Sequence, residues 1–435
     1  ITFRLINNPS TDYLINLATK LMNILSLNTE ATSQELKKYY LLTENTDYLL
    51  TKEDKEKIKY RTLNSEDIYN LKMERLNSEI NKYTLKERIA IHTYYLLTSG
   101  YYYDTKKIIS NVSDNLCMQV LEYNITGLSC DYTYIRENRY NIIPSIIGTV
   151  ASIQKEDYNY YKEKGYLSDT LVGISGLESY YEETLHGTRN KYILKDDNSL
   201  ELVEAGQKGK DIVLNLDLEL QEKLVEIQKN NMLKVKKMAN TEYFDTNYSI
   251  IDDPKTGGIL AISGLKVTDG KFSDVSSNIM LNSYTVGSVI KGASNSVGYL
   301  NNVIEKGKKI KDGCVKIHHV PKKCSFKDLG YLDDITALKQ SSNYFQFINA
   351  IKLTGNTYKY NMDLPVTIAN FNLYRDTFAL FGLGSSTGID FPKENIGIKG
   401  SNVSSDLYLN LAIGQYDTYT PLQILNYINT IASRG

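Results

Sequence analysis

Tyr284-Thr-Val-Gly-Ser288-Val-Ile-Lys291-Gly292 is the stretch on which the reading of this chain turns. A serine and a lysine three residues apart in a helix lie on one face, one turn apart. A serine hydroxyl is a weak nucleophile until a base takes its proton, and a neutral amine within hydrogen-bond reach is such a base. Burial brings a lysine toward neutrality because it penalises the charged form. A helix N-terminus adds free amide N–H groups and the positive end of its dipole, and both favour developing negative charge. Ser288 is therefore expected as the nucleophile and Lys291 as its base.

Ser-x-x-Lys alone carries little weight, because its bland reading is a solvated serine beside a solvated lysine. Its position carries more. Downstream comes Ser341-Ser342-Asn343, between an amphipathic helix pattern at 335–340 and the apolar run Phe345-Gln-Phe-Ile348. Ser-x-Asn supplies a hydroxyl for proton relay and an amide to hold the lysine or a substrate carbonyl. Ser341 is expected as the relay and Asn343 as the orienter.

At 435 residues, 42% of them hydrophobic, the chain is long enough for two or three packed domains. Fifty basic residues against 51 acidic ones leave a net charge of −1, which gives no electrostatic case for nucleic acid. No run of about 20 apolar residues occurs, so no transmembrane helix is expected within these residues. No signal peptide opens the sequence. Four cysteines are too few for a disulfide scaffold at this length.

Residues 10–100 read as helical, with Leu14, Leu17, Leu21 and Ile24 in helical spacing. The Lys/Glu-rich stretch from Thr51 to Arg88 reads as wet helix surface rather than a binding site. From Lys106 to Ile153, short runs rich in Ile, Val and Tyr predict strands. Gly173, Gly176 and Gly187 then mark a loop-rich segment with one short helix. Near Gly206 the texture changes. A linker at 206–210 precedes an alternating strand at 211–217, a helix from Leu218 to about Lys237, and a strand pair, 248–252 and 258–263, turning at 254–257. This order is α+β and multidomain, with the main boundary at 205/206 separating residues 1–205 from 206–435.

With these residues in view, the sequence resembles a class B penicillin-binding protein over about residues 105–435. Arg139-Tyr140, Ile147-Gly-Thr-Val-Ala151, Gly173-Ile-Ser-Gly-Leu-Glu178, Tyr181-Glu182 and Leu185-His-Gly187 resemble the family's pedestal module. Leu214-Asn-Leu-Asp217 and Asp253-Pro-Lys-Thr-Gly-Gly-Ile-Leu-Ala261 resemble the opening of its transpeptidase domain. Phe381-Gly-Leu-Gly384, Thr387-Gly-Ile-Asp390, Gly414-Gln415 and Thr420-Pro-Leu-Gln423 match further landmarks. There are two departures. Val286, Val289 and Ile290 replace the usual Pro, Thr and Phe around the nucleophile, which affects packing more than chemistry. The family's third motif, Lys-Thr-Gly or a relative, is expected beyond Gly435. The triplet Lys255-Thr256-Gly257 belongs to a hairpin turn and is a decoy.

The resemblance implies a transpeptidase fold, an antiparallel sheet flanked by helices with an all-helical subdomain, behind an elongated N-terminal pedestal. It implies a serine D,D-transpeptidase that cross-links peptidoglycan stem peptides and is acylated by β-lactams at Ser288. It also implies a membrane glycosyltransferase partner and an extracytoplasmic place behind a single-pass anchor that precedes this sequence. A β-lactamase or β-lactam sensor on the same fold is one alternative, and the pedestal argues against it. A non-catalytic scaffold is another.

Between the two catalytic motifs lie Asp312, Cys314, His318, His319, Cys324 and Asp328. Two thiolates, an imidazole and a carboxylate make a tetrahedral zinc set. Strand alternation favours His318 over His319, and Asp312 or Asp328 is the fourth donor. A zinc-binding subset from low-GC anaerobes resembles this pattern, and the role expected of the zinc is structural. A Cys314–Cys324 disulfide and two unpaired thiols are the alternatives. Cys117 and Cys130 read as ordinary thiols.

Overall fold

The computed structural model describes all residues except 102–103, 131–135, 137, 139, 168–169 and 196–199. Of the pedestal motifs, Arg139 lies outside the described residues. The chain forms two compact units, each built from two segments. One comprises Ile1–Tyr134 and Arg189–Gly206, the other Ile135–Thr188 and Gln207–Gly435. The last crossing between the units falls at 206/207, and the segment 135–188 lies in the second unit, outside the expected 1–205 grouping. The pedestal motifs at 140–187 fall in the same unit as the catalytic ones.

The first unit is mainly helical, over Thr11–Ile24, Ser33–Thr43, Lys52–Lys59, Ser65–Arg75 and Leu85–Thr98. The last four of these helices begin at reciprocal capping boxes, Thr32 with Glu35, Thr51 with Asp54, Asn64 with Asp67 and Thr84 with Glu87. Each box satisfies two amides that would otherwise lack a partner, and so fixes where the helix starts. Leu14, Leu17 and Leu21 are buried as their spacing predicts. They pack with Phe3, Leu97 and Val120. Thr2–Arg4 pairs antiparallel with Thr105–Lys107 on one side and Leu128–Ser129 on the other.

The described residues of 106–153 hold fewer strands than expected. Helices Asp114–Glu122 and Pro144–Ile147 interrupt them. Short apolar runs do not separate strand from helix by themselves, and here the Ser113 cap decides for helix. Cys117, on the first of these helices, is joined to Cys130 with Sγ atoms 2.14 Å apart, which corrects the reading of both as unpaired thiols.

In the second unit a three-stranded antiparallel sheet runs Lys271–Asp274, Gly258–Thr268, Thr246–Asp253, and the expected hairpin is its longer pair. Residues 211–217 join no ladder among the described residues. Asp217 N donates to the Leu260 carbonyl at 2.9 Å, and Val213 is 91% exposed. Helix Leu218–Val235 is pinned to the central strand by Gln221, whose amide both donates to and accepts from the Ile262 backbone.

Ile143 and Ile146 join Ile262, Ile279, Met280 and Leu422 in one apolar cluster. The segment 135–188 is braced by Arg136, which is bidentate to Glu182 at 2.5 and 2.9 Å and reaches Glu178 at 3.1 Å. Glu182 also accepts the Gly173 amide at 2.7 Å. That pairing explains why Gly-x-x-Gly-Leu-Glu and Tyr-Glu occur together, since both carboxylates serve one guanidinium. Helices Lys291–Leu300, Asn343–Leu353, Ile368–Ala379, Ser405–Ala412 and Pro421–Ser433 form the helical part of the unit. Its core includes Ile290, Ala293, Phe347, Phe371 and Tyr408.

Candidate active site

Ser288 lies in a 3-10 turn, Gly287–Ile290, that runs into helix Lys291–Leu300. The first amides of such an element have no acceptor within it and must find one outside. Gly287 holds φ at 58° and donates its N–H to the Gly414 carbonyl at 2.9 Å, while Gly414 itself has φ at 75°. A Cβ on Gly414 would stand 2.2 Å from the Gly287 carbonyl oxygen, so the approach requires glycine there. Tyr284 and Tyr419 exchange backbone bonds at 2.9 Å beside this contact. The Gly414-Gln415 and Thr420-Pro-Leu-Gln423 landmarks therefore flank the nucleophile's turn. Ser288 is exposed, and among the described residues its hydroxyl has no hydrogen bond.

Lys291 is the opposite, at 1% exposure. Its Nζ donates to the Ser341 carbonyl at 2.8 Å, to Ser341 Oγ at 3.1 Å and to Asn343 Oδ1 at 2.6 Å. Burial pushes its pKa down to about 8, with Asp312 opposing the shift. An ammonium has three N–H donors, and these three acceptors satisfy all of them. A neutral amine has one donor fewer and gains a lone pair. On deprotonation one bond is given up, and the longest, to Ser341 Oγ, can reverse so that this hydroxyl donates to nitrogen. That is the geometry of a base with a relay beside it.

Ser341 sits at φ 56°, the left-handed region that non-glycine residues seldom enter. The kink turns both its carbonyl and its hydroxyl toward Lys291. Ser342 caps the next helix through the Phe345 amide, and Asn343 opens that helix. Three of the four expected catalytic residues, Lys291, Ser341 and Asn343, are thus in direct contact. Ser288 stands one turn before the lysine and is not bonded to it.

The zinc set expected from the sequence is not assembled. Cys314 and Cys324 face each other across a two-stranded ladder with Sγ atoms 2.10 Å apart, a disulfide, and disulfide sulfurs are not thiolate donors. His318 Nδ1 is 2.8 Å from Asp363 Oδ1, and the His319 ring lies against His318 with centroids 3.8 Å apart. Asp328 accepts the Gly330 amide. Asp312 accepts from Ser325 and Ser342. Among the described residues no three His, Cys, Asp or Glu side chains are grouped to hold a metal ion. The residues as placed do not fit zinc.

Sequence reasoning missed the buried clamp Arg375–Asp417, bidentate at 2.7 and 2.8 Å, in which Asp417 also accepts the Gly400 amide. It also missed the hydroxyls of Ser325 and Ser342. Their partners are distant in sequence, so no local pattern marks them.

Residues 248–435 match the family described as penicillin binding protein transpeptidase domain, and residues 3–214 the penicillin-binding protein dimerisation domain. Penicillin-binding protein 2A of Bacillus subtilis is 31% identical over 458 residues, an alignment covering 100% of this chain and 64% of that protein. Penicillin-binding protein 2B of Streptococcus pneumoniae is 28% identical, with 68% of its length covered. The solved structure of penicillin-binding protein 2B from strain R6 superposes with a TM-score of 0.72 at 29% identity, covering 100% of this chain and 72% of that one. The chain therefore spans just under two thirds of the Bacillus relative. With matches to a dimerisation domain and to a transpeptidase domain, and full-length likeness to penicillin-binding proteins 2A and 2B, the chain belongs to the class B penicillin-binding proteins.

Proposed function

We propose that the protein is a serine D,D-transpeptidase of peptidoglycan synthesis and a β-lactam target. The observation that carries this reading is a buried amine held by Ser341 and Asn343 one turn after an exposed serine. Ser288 Oγ attacks the carbonyl between two D-alanines of a stem peptide, and its proton passes to neutral Lys291. The carbonyl oxygen takes up negative charge against the Ser288 amide. Collapse of the tetrahedral species breaks the C–N bond, and the proton returns through Ser341 to the departing D-alanine amine. An amine of a neighbouring stem then attacks the acyl ester and yields a proton to Lys291. The C–O bond to Ser288 breaks as the new amide forms, with that proton passing on to Ser288 Oγ. A β-lactam follows the first half, but its leaving nitrogen stays tethered.

A fluorescent penicillin should label the complete protein, and Ser288→Ala should abolish labelling. Labelling that survives the substitution would move the nucleophile elsewhere. The dimerisation domain disfavours a β-lactamase or sensor.

A membrane glycosyltransferase partner and an extracytoplasmic place at the cell membrane belong to the same proposal. No helix among the described residues is long and apolar enough to cross a membrane. Co-purification from solubilised membranes tests both. Structural zinc remains a proposal for the reduced chain, since Cys314 and Cys324 must be thiolates to bind it.

A further inference from the structure

Behind Ser341 and Asn343 lies a carboxylate that the chemistry above does not use. Asp312 is 6% exposed, and its Oδ1 accepts from Ser342 Oγ at 2.6 Å and Ser325 Oγ at 3.0 Å. Each hydroxyl is also an acceptor. Ser342 Oγ takes the Phe345 amide at 3.0 Å and Ser325 Oγ takes the Tyr344 amide at 3.2 Å. One carboxylate thus governs, through two hydroxyls, two of the first amides of the helix that opens with Asn343. The same turn presents Asn343 Oδ1 to Lys291, while Asn343 Nδ2 reaches the Cys324 carbonyl at 3.4 Å.

The second oxygen, Asp312 Oδ2, is buried with no hydrogen-bond partner. A carboxylate left half unsatisfied in the interior costs free energy. The charge itself has a use here. The negative charge of Asp312 opposes the desolvation of the Lys291 ammonium. The titratable side chain next to Asp312 is the Tyr344 hydroxyl, pushed up by burial and then by Tyr358 and Asp312, and it stays neutral.

We propose that Asp312 is a positioning residue of the acyl transfer. Through Ser325 and Ser342 it fixes the 341–343 turn so that Ser341 and Asn343 meet Lys291, and its charge balances the buried lysine. The inference rests on the transpeptidase reading above.

The test is the second-order rate of acylation of the complete protein by a fluorescent penicillin, measured against pH. Asp312→Asn should lower the rate about tenfold to a hundredfold, as loss of a charge-assisted contact does. It should also move the acid limb to lower pH, because removing a negative charge disfavours the Lys291 ammonium. Ser342→Ala should lower the rate and leave the limb in place, since the carboxylate remains. A folded Asp312→Asn protein with the wild-type rate and an unmoved limb overturns the proposal. If Asp312→Asn gives no cooperative melt, Ser342→Ala and Ser325→Ala decide. A reduced rate in folded protein supports the proposal, and wild-type rates in both overturn it. A wild-type protein that is never labelled at Ser288 overturns the acyl-transfer reading itself, which is a distinct result.

Discussion

Gly414 and Gly287 meet backbone to backbone, with the Gly287 amide 2.9 Å from the Gly414 carbonyl and no room between them for a Cβ. The turn that carries Ser288 is therefore set from outside, by a glycine 126 residues further along the chain (414 − 288).

Gly414→Ala should accordingly damage both stability and chemistry. The new methyl clashes with backbone rather than with a flexible side chain, and alanine at φ 75° adds strain of about 1–3 kcal/mol. The melting temperature should fall and penicillin acylation should slow. A variant with wild-type acylation would mean that the turn holds without this contact.

Lys291 sets a pH dependence with a definite sign. Its pKa is pushed down to about 8 by burial, and only the neutral amine accepts the serine proton. Acylation should rise with pH, reach half its maximum near that value, and level off above it. A rate flat from mildly acidic to alkaline pH would exclude Lys291 as the base.

Arg375 and Asp417 form an ion pair that is 8% and 1% exposed in the side chains. Arg375→Ala leaves a buried carboxylate with only the Gly400 amide for company. It should cost about 3–5 kcal/mol, read as a lowered denaturant midpoint. A loss below about 1 kcal/mol, typical of a surface pair, would show that water reaches Asp417 in solution.

The cysteines separate two states of the hairpin at 314–324. Alkylation of unfolded, unreduced protein should leave Cys117, Cys130, Cys314 and Cys324 unmodified, because all four are paired. Modification of Cys314 and Cys324 together with about one equivalent of zinc in the native protein would restore the metal site read from the sequence.

What could be read from sequence was what local chemistry writes down. Ser-x-x-Lys fixes a one-turn relation and Ser341 and Asn343 fall two residues apart, so each pair is legible locally, whereas their meeting across 50 residues rested on the family resemblance. The bridging hydroxyl of Ser325 lies 17 residues before Ser342, and nothing in the local pattern around either residue joins them. The pairing of Cys314 with Cys324 in place of the expected zinc set has a related reason. Spacing places Cys314 opposite Cys324, but it does not say whether two sulfurs so placed bond to each other or to a metal. The strand expected at 211–217 has the right alternation but no neighbouring ladder among the described residues, and alternation alone does not supply one.

The chain leaves the second unit after Thr188 and returns at Gln207. Anyone who clones the catalytic half by starting at the obvious linker discards Ile143, Ile146 and the Arg136 brace, and so opens the apolar cluster that holds Ile262 and Leu422. Two buried isoleucines contribute about 1.5–3 kcal/mol each. The excised fragment begins life with a wound in its floor, and poor behaviour in the test tube would then reflect the scissors rather than the enzyme.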